Sequence, residues 1–336
     1  MKRGRLPVPD FFDSDRVGEI YRVPYQQRAS EAREWAGKHS IGPASKDSER
    51  LCLMIIDVQN TFCISGFELF IGGRSGRAAV DDNIRLCEFI YHNLGVLTSI
   101  TATMDSHKAF QIFHPAFLID ERGNPPEPAT IISVEDVEMG RWAVNPSIAE
   151  SIEGGDRDRL QRHLLHYTRK LREKGKYKLM IWPYHAMLGG IGHSLVPAVE
   201  EALFFHSMAR SCQVNFELKG DSPLSENYSV LHPEVLDDAD GSPIARVNDR
   251  LMRNLLEYDA VIIAGQAKSH CVAWTIDDLL GEISKRDLSL AQKIYLLEDC
   301  TSPVVIPGVA DFTDEADAAF RRFAQSGMHI IKSRDS

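Results

Sequence analysis

"YDAVIIAGQAKSHCVAWTIDDLL", residues 258–280, passes from a short apolar run into a helical pattern, with a cysteine at the junction. The opening residues, "YDAVIIA", are rich in branched side chains and free of proline, which marks a fully buried strand. Beyond them Val272, Trp274, Thr275, Asp278 and Leu279 read as the first turns of a helix. Cys271 at that junction has two readings. A thiol at a helix N-terminus feels the positive end of the dipole and favours thiolate, whereas a thiol in apolar surroundings is a small hydrophobe.

The same alternation extends in both directions. Apolar runs recur as "LCLMIID" (51–57), "GVLTSITATMD" (95–105), "KLMIW" (178–182), "CQVNFELKG" (212–220), "AVIIAGQ" (260–266) and "KIYLLED" (293–299). Helical patterns fall between them near 81–93, 197–209, 246–257 and after Cys271, and a last one, 313–327, ends at Gly327 as a helix C-cap often does. Strands alternating with helices predict an α/β fold, a mostly parallel six-stranded sheet with helices on both faces. Residues 1–50 are polar and weakly periodic, an N-terminal arm in which "EAREWAGKHS" (31–40) is a short helix, packed on the body or on a neighbouring subunit. Residues 51–336 form the domain, interrupted by a long insertion at about 118–176. That insertion contains "GNPPEPA" and a charged stretch, 156–176, with Leu160, Leu164, Leu165 and Leu171 at roughly helical spacing, an amphipathic helix.

Composition narrows the function. The chain has 336 residues, 43% hydrophobic and 26% charged, an ordinary globular balance. A net charge of -10 argues against nucleic-acid binding, which draws on a basic surface. No apolar run is long enough to span a bilayer, and the basic start "MKRGRLPVPDFFDSD" lacks the apolar core of a secretory signal. Six cysteines form no CxxC pair, so neither a zinc ribbon nor a disulfide framework is expected. The expectation is a reduced, cytoplasmic protein.

Chemistry-bearing residues cluster at the carboxyl ends of the strands, where open α/β sheets bind ligands. Asp57 ends the first run, Asp105 and His107 the second, Trp182 and His185 the third, Lys219 the fourth, and Cys271 follows the fifth. Asp57 can take the proton of a cysteine nucleophile, and the Lys219 ammonium can favour its thiolate. Asp105, His107 and His185 form a three-ligand set that suits zinc, iron or manganese and leaves positions for water or substrate. Each has a plainer reading: Asp57 a helix cap, Lys219 a surface lysine, Asp105 and His107 a metal-free hydrogen-bonded pair.

Taken together, "DVQNTF" (57–62), "DSH" (105–107), "WPYH" (182–185), "KG" (219–220) with "NYS" (227–229), and "GQAKSHCV" (265–272) resemble the isochorismatase-like cysteine hydrolases, and among them most closely the nicotinamidases. The resemblance covers about 51–115 and 177–310. It implies an Asp57–Lys219–Cys271 triad that hydrolyses a carboxamide through a thioester, releasing ammonia. It further implies an oxyanion hole from the backbone N–H groups of Ala267 and Cys271 beside a cis Gln266–Ala267 bond. Asp105, His107 and His185 would bind a divalent metal, zinc first, and Phe62, Trp182 and Tyr228 would line the substrate pocket. Nicotinamide to nicotinate, a step of NAD metabolism, is the reaction implied first, with another small amide or carbamoyl compound as the alternative and a non-catalytic scaffold behind both. The expected partner is a small-molecule amide, with no nucleic acid or membrane, in a homo-oligomer. The chain departs from the family pattern at Lys268 and Ser269, where Thr and Asp are frequent, and at Ala186, where Cys is common. His114, seven past His107 rather than six, reads as structural or pocket-lining rather than as a ligand.

Overall fold

A computed structural model describes residues 5–152, 155–175 and 177–335. Its centre is a six-stranded sheet of β1 (Leu51–Ile56), β2 (Leu97–Asp105), β3 (Asn215–Lys219), β4 (Ala260–Gly265), β5 (Ile294–Leu297) and β6 (His329–Ile331). The spatial order is β6-β5-β4-β1-β2-β3, and β1 pairs in parallel with β2 and β4, β4 with β5, and β5 with β6. In β1, Cys52 to Ile56 are fully buried, which is why the run carries no polar alternation. Strand order reverses between β1 and β4, the position where such sheets open a crevice beyond the carboxyl ends.

Helices alternate with the strands: α1 (Tyr25–Lys38), α2 (Ala78–His92), α3 (Arg157–Lys174), α4 (Pro197–Arg210), α5 (Asp249–Leu256), α6 (Ala273–Arg286) and α7 (Thr313–Gln325). Among them α1 and α2 pack against α4, and α6 against α7. The N-terminal arm packs on the chain's own body. Arg28 of α1 meets Glu201 of α4 at 2.6 Å with both side chains buried, and the Tyr21 hydroxyl donates to the same carboxylate at 2.8 Å. On α4, His206 Nε2 lies 2.9 Å from the Leu97 carbonyl at the start of β2, and Arg210 Nε donates to that same oxygen. Among the described residues no helix is long and apolar enough to cross a membrane.

The chain divides into two compact units, each with its own interior. One comprises Met1–Met104, Ser194–Glu217 and Asp249–Ser336 and holds most of the sheet. The other comprises Asp105–His193 and Leu218–Asn248 and includes α3. Within it, Leu118–Ile119 pairs with Ala143–Val144, and Ile131–Ile132 with Leu179–Met180, both antiparallel.

Two sequence expectations change here. "KLMIW" is not a strand of the central sheet: only Leu179–Met180 are extended in a ladder, and their partner is Ile131–Ile132. The next residues leave that ladder, the Trp182 N–H donating to the Phe113 carbonyl, so His185 follows a loop and not a sheet strand. The sixth strand is instead β6, a three-residue strand beside β5 too short to show a period. The arm helix also begins six residues before "EAREWAGKHS", at Tyr25, directly after Pro24.

Candidate active site

Asp57 and Cys271 follow the paired ends of adjacent strands. Ile56 and Gly265 are partners in the β1–β4 ladder, and the Gln266 N–H donates to the Ile56 carbonyl at 2.7 Å. Gly265 has φ +113, and a Cβ there would lie 2.1 Å from the Ile56 carbonyl oxygen, so only glycine fits. Asp57, fully buried, adopts φ +49, a conformation that aspartate tolerates better than branched residues. Its N–H donates to Thr103 Oγ1 at 3.1 Å, and the Thr103 hydroxyl donates back to Asp57 Oδ1 at 2.5 Å.

The Gln266–Ala267 peptide bond is cis, as the resemblance implied. The Gln266 side chain donates to buried Asp82 at 2.8 Å and accepts from the Ser302 N–H at 3.3 Å. Burial pushes the Asp82 carboxyl up, against the hydrogen bonds from Ser302 and Gln266 and the charge of Arg85. Lys268–Val272 then form one turn of π-helix leading into α6. The Val272 N–H reaches back five residues to the Ala267 carbonyl at 3.1 Å, and the His270 N–H donates to the same oxygen at 3.0 Å. Such single π turns are frequent at functional sites. Cys271 sits in this turn, buried but not sealed at 8% exposure. Behind it the Ser269 Oγ accepts from the Val304 N–H and bonds His270 Nδ1 at 2.9 Å. Burial pushes His270 down to about 3, so it is neutral at physiological pH. Phe62, in a short helix Asn60–Cys63, belongs to the same apolar cluster as Ala267.

The second unit gathers the remaining residues. Asp105, His107 and His185 are buried, and one ligand atom from each lies within 4.8 Å of the others. His107 Nε2 is 2.8 Å and His185 Nε2 3.6 Å from Asp105 Oδ2. The outer nitrogens are also tied: His185 Nδ1 donates to the Pro183 carbonyl at 2.7 Å, and the Gln111 amide reaches His107 Nδ1 at 3.4 Å and the Gly220 carbonyl at 2.7 Å. Outer bonds of this kind orient an imidazole toward a cation. Gly220, at φ +87, is needed because a Cβ would lie 2.8 Å from His107 Cε1.

Lys219, only 4% exposed, donates to Asp105 Oδ1 at 2.9 Å and to the Asn227 carbonyl at 2.7 Å. Burial acts to raise the Asp105 carboxyl, but the charges of His107 and Lys219 outweigh it and hold Asp105 well below the usual carboxylate range. Trp182 Nε1 donates to the Tyr228 hydroxyl at 3.1 Å. Buried Glu226 is pushed up to about 8 by burial first and then by the Asp105 charge, with Lys219 opposing. His114 packs edge-to-face on His107 and His185, and burial together with their charges pushes it down to about 3.

Of the expected triad, Asp57 and Cys271 thus lie in one unit and Lys219 in the other, beside the expected metal ligands. Two residues, Gln111 and Glu226, and the role of a third, Asn227 of the "NYS" motif, escaped sequence reading. Asn227 acts through its backbone carbonyl, which no side-chain pattern reveals, and Gln111 stands in no motif. Glu226 had a faint signal as an acid inside an otherwise uncharged run, "SENYS".

No protein-family model and no curated protein matches the chain. Solved structures do. A nicotinamidase/pyrazinamidase from Acinetobacter baumanii is 18% identical at TM-score 0.50, covering 86% of this chain and 98% of its own. A yeast nicotinamidase bound to the inhibitor nicotinaldehyde is 16% identical at TM-score 0.50, covering 84% and 99%. At such identity the likeness speaks for architecture alone, and the chain shares the α/β fold of these nicotinamidase structures.

Proposed function

We propose that the chain is a cysteine amidohydrolase that converts a small carboxamide, nicotinamide first, to its acid and ammonia. The observation that carries this reading is the β1–β4 junction at the reversal of strand order, where Asp57 follows directly on β1 and Cys271 lies in the π turn that follows the paired end of β4. In the proposed reaction Cys271 Sγ attacks the amide carbon and its proton passes to Asp57. The nitrogen leaves as ammonia, taking up that proton, and water then cleaves the thioester to give the acid and return the thiol. Lys219 supplies positive charge that favours the thiolate, and the N–H groups of Ala267 and Cys271 receive the oxyanion.

The donor set Asp105, His107 and His185 suits a divalent cation, zinc first, with iron and manganese as alternatives. When bound, such an ion offers a Lewis-acid pole to a ring nitrogen. Phe62, Trp182 and Tyr228 are assigned to the flat ring, the Trp182–Tyr228 hydrogen bond fixing one wall.

The test compares nicotinamide with benzamide, which has the same shape and amide but no ring nitrogen. Misplacement by about an ångström can cost on the order of a hundredfold, so kcat/KM for benzamide should be lower by about that factor. Cys271→Ala should abolish ammonia release and keep the fold. Equal turnover of the two amides, or turnover of a carbamoyl compound alone, ends the nicotinamide reading; full activity of Cys271→Ala ends the covalent mechanism.

A further inference from the structure

Helix α3 of the insertion carries a row of polar side chains, two of them buried, that the proposed chemistry does not use. Arg159, His163, His166, Tyr167 and Lys174 recur at intervals of three, four and seven and therefore share one face. Every one of them is bonded to the segment that follows Lys219. Arg159 donates twice to Asp238, at 3.0 and 2.6 Å, and His163 Nε2 donates to the Leu224 carbonyl at 2.8 Å. His166 meets Asp237 at 3.2 Å, the Tyr167 hydroxyl accepts from the Glu226 N–H at 3.2 Å, and Lys174 donates to the Glu234 carbonyl. His163 and Tyr167 are both 1% exposed, so their two bonds lie in the interior, while Arg159 and His166 are partly buried and Lys174 is exposed. The opposite side of α3 carries Arg169 and Arg172, which form exposed pairs with Glu138 and Glu135.

What the gripped segment does is hold Lys219. The carbonyl that accepts from Lys219 Nζ belongs to Asn227, whose N–H donates to Glu226 Oε1 at 2.9 Å. The Glu226 carbonyl in turn accepts from the Glu234 N–H at 2.8 Å. A lysine ammonium is a point charge on a flexible four-carbon stem and keeps one direction only while its acceptors stay in place. The bonds therefore run without a gap from α3 through Glu226 and Asn227 to the Lys219 ammonium.

We propose that α3 is a splint for the lysine, and that Tyr167 and His163 are positioning residues of the amide hydrolysis acting through the Glu226–Asn227 peptide. A lid over the substrate is the simpler expectation for an insertion beside a site; the interior bonds of α3 assign it a supporting role. The proposal rests on the reading of Lys219 as the group that stabilises the Cys271 thiolate.

The test measures the pH dependence of Cys271 alkylation by iodoacetamide, which needs no substrate, alongside kcat and KM for nicotinamide. Lys219→Ala should raise the alkylation midpoint by about one pH unit or more. Tyr167→Phe and His163→Ala should raise it in the same direction and lower kcat on the order of tenfold with KM unchanged. His163→Gln, which can still donate to the Leu224 carbonyl, should restore both, and Arg172→Ala on the outer side should alter neither. Tyr167→Phe keeps its ring in the buried slot and decides the case if His163→Ala does not fold. A Lys219→Ala effect with none from Tyr167→Phe overturns the splint and spares the triad. No effect of Lys219→Ala overturns the reading of the lysine and the splint with it.

Discussion

Gly265 shows how tightly single positions are determined beside the nucleophile. Its φ of +113 excludes most side chains, and its missing Cβ makes room for the Ile56 carbonyl across the β1–β4 ladder. Gly265→Ala must therefore move one of two central strands, and unfolding in urea should show a loss of roughly 3 kcal/mol or more. Asp57 directly follows Ile56, the partner of Gly265 in that pairing. Asp57→Asn keeps a residue type that tolerates positive φ, so it should fold normally while ammonia release falls by about 10²–10⁴, the usual contribution of a general base. Normal activity in that variant would remove Asp57 from the chemistry. At this scale the sequence was readable wherever a reactive side chain followed an apolar run: Asp57, Asp105, His107 and Cys271 all stand out so. Lys219 on its own reads as a surface lysine, and burial reverses that only once Asp105 and the Asn227 carbonyl are seen around it.

Long elements were legible because their periods are. Helices α4 and α6 lie close to where apolar spacing sets them, and five of the six sheet strands coincide with apolar runs. The exchange of "KLMIW" for β6 marks the limit. A five-residue apolar run can equally well make a short ladder in a loop region, and a three-residue strand carries no period at all. The join of α4 to β2 offers a test at this scale. Burial, opposed by the bond to the Leu97 carbonyl, pushes His206 down to about 4, whereas an unfolded imidazole titrates near 6.5. Between those values the unfolded chain binds more protons, so acidification through that window must lower stability. The loss from this group should approach roughly 2 kcal/mol at pH 4.5, read as a lower urea midpoint. His206→Gln, which can still donate to the Leu97 carbonyl, should lose correspondingly less over the same interval.

Across the whole molecule the six thiols are sharply unequal, and no disulfide links them. Burial pushes Cys52 and Cys63 up to about 12 and raises Cys87 and Cys300 as well, leaving them protonated and shielded. Cys212 is partly exposed and also raised by burial. A thiol count on the folded protein should therefore give one fast site, Cys271, one slow site, Cys212, and four more only in denaturant; several fast thiols would contradict that ranking. The pairing of β1 with β4 has a consequence in time. Leu51 is synthesised early and its partner Ala260 late, so at roughly 5–20 residues per second the first strand waits on the order of tens of seconds for its neighbour. During translation β1 therefore presents an unsatisfied apolar edge to the cell, the condition under which chaperones are recruited and aggregation competes. The β1–β4 ladder that precedes Asp57 and Cys271 closes only after most of this sequence has been synthesised.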